Sequence, residues 1–304
     1  MAHTVLVVDD DYSIRRCVEL RFQLDDYDVV TTGESEEAVR LAREQRPDAI
    51  VLDVMMPEMD GFEIARRVRQ EQQGRGPIIL MLTAKAGTEA MVSGLAAGAD
   101  DYVVKPPNLD DMVDLVRSRL RQVATGDAGR LQDLPHGPAI FAELENRRKA
   151  GGPVAVTCLD VNGLGHFNAR YGYERGDALL EWFAGLLVAE VDQTTGAFVG
   201  RLGSDDFIVI SDPDDAWPMA EAIRAAFDAG VGAHHDPDDV TGGAIELPGA
   251  DDTSNRYPLA SVAIGITNSG LHPDEDLQAL VLSAVQMMRT AKLRSASRVV
   301  VDRT

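Results

Sequence analysis

Short apolar runs alternate with amphipathic stretches through residues 4–123 of this chain. The runs at 5–8, 29–31, 49–52, 78–82 and 102–104 are rich in Val, Ile and Leu and read as strands. The stretches at 12–24, 35–44, 61–72, 88–97 and 109–123 carry apolar residues at helical spacing. Five strand–helix units with short connections predict an α/β domain, a doubly wound five-stranded parallel sheet with helices on both faces. Small residues break the pattern at 124–129, and Leu134-Pro135-His136-Gly137-Pro138 breaks it again. The predicted domains are 1–124 and 139–304, with a linker at 125–138.

The second half has a different rhythm. A helix is predicted at 139–149, a strand at 154–159 and helices at 164–171 and 177–190. Strands at 197–202 and 207–211 flank Gly203-Ser204-Asp205-Asp206 as a hairpin. A helix at 218–229, an irregular stretch, a strand at 259–267, a helix at 276–292 and a strand at 298–301 complete it. This reads as an α+β domain with a mostly antiparallel sheet.

Chemistry sits where the apolar runs of the first half end. Asp9-Asp10-Asp11 closes the first run, Asp53 the third, Thr83 the fourth and Lys105 the fifth. In a parallel α/β sheet the carboxyl ends of the strands converge in one crevice. Three acids, a hydroxyl and an ammonium would meet there, a set suited to magnesium-assisted phosphoryl transfer. Taken singly, Asp9 and Asp10 also fit a helix N-cap cluster, and Lys105 a solvated strand end. The joint spacing favours the site.

Composition narrows the partners. The 304 residues are 45% hydrophobic and 5% aromatic, enough for globular cores, and the length favours two domains. A formal net charge of −21 repels a phosphate backbone and argues against DNA binding. No apolar run is long enough for a membrane span, and the N-terminus does not read as a signal peptide. The two cysteines, Cys17 and Cys158, have no metal-ligand spacing, which fits a reduced cytoplasm.

Together, Val7-Val8-Asp9-Asp10-Asp11, Leu52-Asp53-Val54-Met55-Met56-Pro57, Met81-Leu82-Thr83-Ala84 and Val104-Lys105-Pro106 resemble a response-regulator receiver domain of flavodoxin-like fold. The resemblance implies that Asp53 accepts a phosphoryl group from a sensor histidine kinase. It assigns Mg2+ to Asp9, Asp10, Asp53 and the backbone carbonyl of Met55. Lys105 would pair with the phosphoryl group and Thr83 would hydrogen-bond to it. Tyr102 matches the family's aromatic switch position, with a half-buried tyrosine at the sheet edge as the alternative. Homodimerisation through the fourth helix, fifth strand and last helix of the domain is the implied readout.

Further along, Asp160-Val161-Asn162-Gly163-Leu164-Gly165-His166-Phe167-Asn168 precedes Gly176-Asp177, and Arg201-Leu202-Gly203-Ser204-Asp205-Asp206-Phe207 follows. This pattern resembles the GGDEF domain of diguanylate cyclases, which has a nucleotidyl-cyclase-like fold. The resemblance implies metal binding by Asp160 and Asp205, guanine recognition by Asn168 and Asp177, and a phosphate contact from Lys292. It makes GTP the implied ligand. Several family residues are replaced. Ser204 stands for a glycine, Asp206 for a glutamate, Asn162 for an acid and Gly165 for a phosphate-binding lysine. Thr194 and Ala197 stand where an inhibitory product site has its arginine and aspartate. The expectation is a degenerate output domain that binds guanine nucleotide or a protein partner with little or no catalysis. The alternative is an active cyclase joining two GTP into cyclic di-GMP. Asp205-Asp206 as plain turn acids, Asn168 as a turn cap and Asp177 as a helix N-cap also fit the sequence. His234-His235-Asp236 reads as a solvated loop.

Overall fold

The computed structural model describes residues 3–71, 76–83, 88–124, 131, 134–203, 205–248, 254–271 and 276–303. The chain divides into two compact units that part between Ala124 and Ile140. Most of the expected linker lies outside the described residues.

The first unit alternates β1 (Thr4–Val8), α1 (Tyr12–Gln23), β2 (Asp28–Thr32), α2 (Ser35–Gln45), β3 (Ala49–Asp53), α3 (Gly61–Glu71), β4 (Ile78–Thr83), α4 (Thr88–Ala97), β5 (Asp101–Val104) and α5 (Leu109–Ala124). The sheet order is β2-β1-β3-β4-β5 and every pairing is parallel. The central strands are apolar throughout because helices cover both faces. Leu6, Val8, Ile50, Leu52, Ile79 and Met81 point to the face packed by α2 and α3. Val5, Val7, Ala49, Val51, Leu80 and Leu82 point to the face packed by α1 and α5. This alternation is the two-residue period of a strand buried on both sides.

The second unit continues with α6 (Pro138–Ala150), β6 (Ala155–Asn162), α7 (Leu164–Tyr171), α8 (Tyr173–Val191), β7 (Phe198–Arg201), β8 (Asp206–Ser211) and α9 (Pro213–Gly230). Its last part holds α10 (Pro237–Gly242), β9 (Ala244–Pro248), β10 (Ser254–Pro258), β11 (Ser261–Asn268), α11 (Leu277–Lys292) and β12 (Arg298–Val301). The main sheet runs β12-β11-β6-β8-β7, antiparallel except for β11 with β12. Phe183 anchors the core beneath it, edge-on to Phe207 and Phe227, each at 5.1 Å.

Three boundaries differ from the sequence expectation. The stretch expected to be irregular contains a 3-10 turn (Val231–His234), α10 and an antiparallel β9–β10 hairpin. Its elements are short and mostly polar, and the hairpin depends on pairing between segments, so periodicity does not reveal it. Helix α8 starts at Tyr173, after Gly172 turns the chain at φ 86°, rather than at 177. Helix α9 starts at Pro213, which takes the first helical position, and Pro218 falls inside it.

Candidate functional sites

The first site grows from the ends of β1, β3, β4 and β5. Strands β1 and β3 are neighbours, so Asp9 and Asp53 leave the sheet side by side. Asp9 is fully buried and Asp53 is 3% exposed. Lys105 bridges them, its Nζ 2.7 Å from Asp9 Oδ2 and 3.0 Å from Asp53 Oδ2. Backbone amides serve the other oxygens. Asp11 N–H donates to Asp9 Oδ1 at 2.9 Å, and Met55 N–H donates to Asp53 Oδ1 at 3.2 Å. Asp10 adds an exposed third carboxylate, and the three ligand oxygens lie within 4.8 Å of one another.

Charge is balanced tightly here. Burial pushes the Asp9 carboxyl above its ordinary value, against the pull of Lys105 and the Asp11 amide. Burial draws Lys105 down, but the two carboxylates outweigh it and leave the ammonium above its ordinary value. An all-oxygen acidic set of this size suits a hard divalent cation such as Mg2+. Thr83 ends β4 beside the acids, buried, and its carbonyl accepts the Lys105 N–H at 2.8 Å. Tyr102 lies half-buried on β5, against the α2–α3 side of the core. The Lys105–Pro106 bond is cis.

Two supports of this pocket were not read from the sequence. Gly61 N–H donates to Val54 O at 3.0 Å, and a Cβ there would lie 2.2 Å from Asp53 O. Only glycine lets the loop after Asp53 fold back so closely. Arg15 Nη1, from α1, donates to Asp9 O at 2.5 Å and holds the acidic turn from behind. Both contacts join residues whose meeting depends on the loop path.

The second site forms across an antiparallel pair. Asp160 on β6 stands opposite Asp206 on β8, and Asp205 lies in the turn before it. The three carboxylates again have ligand oxygens within 4.8 Å of one another. Among the described residues no N–H or hydroxyl donor meets the buried Asp160 Oδ1 and Asp206 Oδ1. Burial pushes the Asp206 carboxyl well above the usual range, and the charges of Asp160 and Asp205 push the same way. Like charges facing each other across strands are unfavourable, and buried polar atoms are normally satisfied. A divalent cation with oxygen ligands answers both conditions, so the residues fit a metal.

Lys292, the last residue of α11, makes an ion pair with Asp160 Oδ2. Burial draws its ammonium down, and Asp160, Asp206 and Asp205 more than reverse this. Asp206 was expected as a motif residue and not as a ligand. The strand register that places it against Asp160 makes it the third member of the cluster.

The other expected nucleotide residues lie on α7 and α8. Asn168 Oδ1 is buried without a hydrogen-bond partner among the described residues, and a Cβ on Gly176 would lie 1.8 Å from it. Asn168 is thus packed against the residue preceding Asp177. Because α8 begins at Tyr173, Asp177 lies inside the helix and is not its N-cap. Asn162 Nδ2 donates to Ser261 Oγ at 3.1 Å. Gly165 is exposed, and a Cβ there would meet nothing within 4 Å. Ser204 lies outside the described residues.

The expectation of a solvated loop at His234-His235-Asp236 fails at its centre. His235 is 5% exposed, accepts from Ala260 N–H through Nε2 at 3.2 Å, and faces Val231 O through Nδ1 at 3.1 Å. Arg175 ties the same segment to α8 by donating to Asp236 Oδ1 and His234 O.

Comparison with known proteins gives two family matches. Residues 5–117 match the response regulator receiver domain. Residues 139–240 match the diguanylate cyclase GGDEF domain. The chain is 38% identical over 160 residues to the probable transcriptional regulatory protein TcrX of Mycobacterium tuberculosis, spanning 52% of this chain and 67% of that protein. It is 44% identical over 128 residues to the transcriptional regulatory protein AfsQ1 of Streptomyces coelicolor, spanning 41% of this chain and 56% of that protein. Several further relatives are matched over about half their length, as is the response regulator MprA of Mycobacterium leprae at 54%. Among solved structures, a putative response regulator from Chloroflexus aurantiacus is 36% identical, with a TM-score of 0.38, covering 40% of this chain and 99% of that one.

Proposed function

We propose a function for a chain that belongs to the response regulators, carrying a receiver domain followed by a diguanylate cyclase-type GGDEF domain: Asp53 accepts a phosphoryl group, and the GGDEF domain reads it out by binding guanine nucleotide with little or no turnover. The single observation that carries the first half is Lys105 bridging the buried carboxylates of Asp9 and Asp53. Asp53 attacks phosphorus in line as the donor's bond to a kinase histidine breaks. Lys105 is placed to follow the charge onto the phosphoryl oxygens, and Thr83 to donate its hydroxyl to one of them. Asp9, Asp10, Asp53 and the Met55 carbonyl would hold Mg2+, which neutralises the anionic donor. When Thr83 turns toward the phosphoryl group, Tyr102 follows into the space it leaves, and the α4–β5–α5 face becomes the homodimer contact.

The GGDEF half rests on Asp160, Asp205 and Asp206 as the metal ligands and on Asn168 and Asp177 as the guanine edge. A carboxylate at Asp177 accepts from guanine N1–H and N2–H and has no such partners on adenine. Asn162 and Gly165 replace an acid and a lysine, which favours binding over catalysis. The intact carboxylate triad favours the second reading, an active cyclase making cyclic di-GMP. Among the described residues no helix is long and apolar enough to cross a membrane. The test is incubation with acetyl phosphate and Mg2+, then with GTP. The reading requires a labile mass gain on Asp53, a larger particle by light scattering, and bound GTP with little dinucleotide. Abundant cyclic di-GMP selects the second reading, and no mass gain removes the first.

A further inference from the structure

Helix α11 lies directly on β11. A Cβ on Gly265 would come 2.0 Å from Met288 N and 2.3 Å from Ala284 O, so only glycine permits the contact. Strand β11 pairs with β6, placing Ala263 opposite Asp160. The close packing therefore carries the end of α11 over β6, and Lys292 reaches Asp160. Its ammonium takes Asp160 Oδ2, while Asp160 Oδ1 and Asp206 Oδ1 stay buried with no N–H or hydroxyl donor among the described residues. One ammonium stands among three acids, and it is paired with Asp160.

The geometry points to Lys292 as a tethered cation that competes with the metal for Asp160, so that loading of a divalent ion requires Lys292 to let go. The ammonium holds one of the two Asp160 oxygens and draws off its charge, and it repels a cation that approaches the other. Release then leaves a positive charge at the rim of the metal site, free to meet a phosphate oxygen. Lysine suits this task because its flexible stem lets a point charge change partners. The inference rests on the reading of Asp160, Asp205 and Asp206 as a metal site, but not on guanine recognition or on cyclase activity.

The test is Mn2+ binding without nucleotide, followed by electron paramagnetic resonance on the full chain carrying Asp10→Asn to weaken the receiver site. The part of the signal that Asp160→Asn removes belongs to the second site. Lys292→Met should bind Mn2+ about tenfold more tightly than the parent, because the competitor is gone. Lys292→Arg keeps the charge and should stay within about threefold of the parent. Circular dichroism melts check that each variant is folded. Equal or weaker binding by Lys292→Met overturns the inference, as does equal tightening by Lys292→Arg, which would mean loosened packing and not lost charge. A signal indifferent to Asp160→Asn in every variant overturns the metal reading and the inference together.

Discussion

The two acidic pockets carry the same components and balance them differently. Each has three carboxylates within 4.8 Å and one lysine. In the receiver, Lys105 spans two acids, and backbone amides cover the remaining oxygens of Asp9 and Asp53. Among the described residues of the GGDEF domain, Lys292 pairs with Asp160, and two buried carboxylate oxygens meet no N–H or hydroxyl donor. Topology explains the contrast. Parallel strands release their ends into loops whose N–H groups turn toward the acids, whereas Asp160 and Asp206 sit within a ladder whose N–H groups are committed to neighbouring strands. Among the described residues, both oxygens of Asp9 and of Asp53 meet donors, whereas Asp160 and Asp206 each keep one oxygen without a donor.

The largest expected effect breaks this comparison on the chemical side. Asp53→Asn should abolish acetyl-phosphate labelling, while Asp160→Asn leaves it unchanged. Intact-mass spectrometry in Mg2+ reads both. Labelling that survives in Asp53→Asn would end the phosphoacceptor assignment.

Next is gain of function. Gly165 has open space around its Cβ position, so Gly165→Lys should fold normally. A positioned charge at a transition state contributes roughly 2–4 kcal/mol. Gly165→Lys with Ser204→Gly should therefore raise cyclic di-GMP formation by a hundredfold or more, on the order of 2.7 kcal/mol. Chromatographic assay with GTP and Mg2+ measures it. An unchanged rate would place the defect elsewhere in the site.

A smaller effect concerns packing at the second pocket. Gly265→Ala drives a methyl into the backbone of α11 and should destabilise the GGDEF domain by about 3 kcal/mol. Urea unfolding should show this loss in the GGDEF transition and leave that of the receiver in place. Loss of both transitions together would mean that the domains unfold as one.

Mg2+ sharpens the contrast further. At a hundred times its dissociation constant an ion adds about 2.7 kcal/mol to the state that binds it. More of that gain should vanish in Asp206→Asn, which spares the receiver, than in Lys292→Met. Calorimetric melts with and without Mg2+ test the ordering.

The smallest expected effect follows pH. Burial holds the His235 imidazole below its ordinary value of 6.5, aided by the charge of Arg175 and opposed by Val231 O, Asp239 and Asp236. The unfolded state then binds the proton more readily, so His235 stabilises the fold above pH 6.5 and this is lost as pH falls through the lowered value. The difference in melting temperature between wild type and His235→Gln should narrow on acidification. A constant difference would mean that His235 does not titrate in this range.

Much of the receiver was legible because its signals are local. Each strand is a short apolar run, and Asp9, Asp53, Thr83 and Lys105 are each the first polar residue after one, so order along the chain translates into convergence at one edge. Gly61 and Arg15 escaped because a tight loop return and a contact to a backbone carbonyl leave no periodic trace. In the GGDEF domain, Asp160, Asn168, Asp177, Asp205 and Lys292 were singled out only through their resemblance to a family pattern, and the structure brings Asp160, Asp205 and Lys292 together. The place of Asp206 in the acidic cluster was not legible, because it follows from the pairing of β6 with β8. Buried His235 looked like loop because its partners, Val231 and Ala260, flank the hairpin on opposite sides in sequence.

Sequence by itself determined the alternation of strands and helices, the parallel sheet of the receiver and the residues that end its strands. Hydrophobic period and strand-end position are properties of neighbours in the chain, so they can be read without coordinates. Tertiary structure alone decided which carboxylates are satisfied and which are left bare, and where Lys292 spends its charge. Those outcomes depend on strand register and on the closeness of α11 to β11, which are settled by packing between segments far apart in sequence.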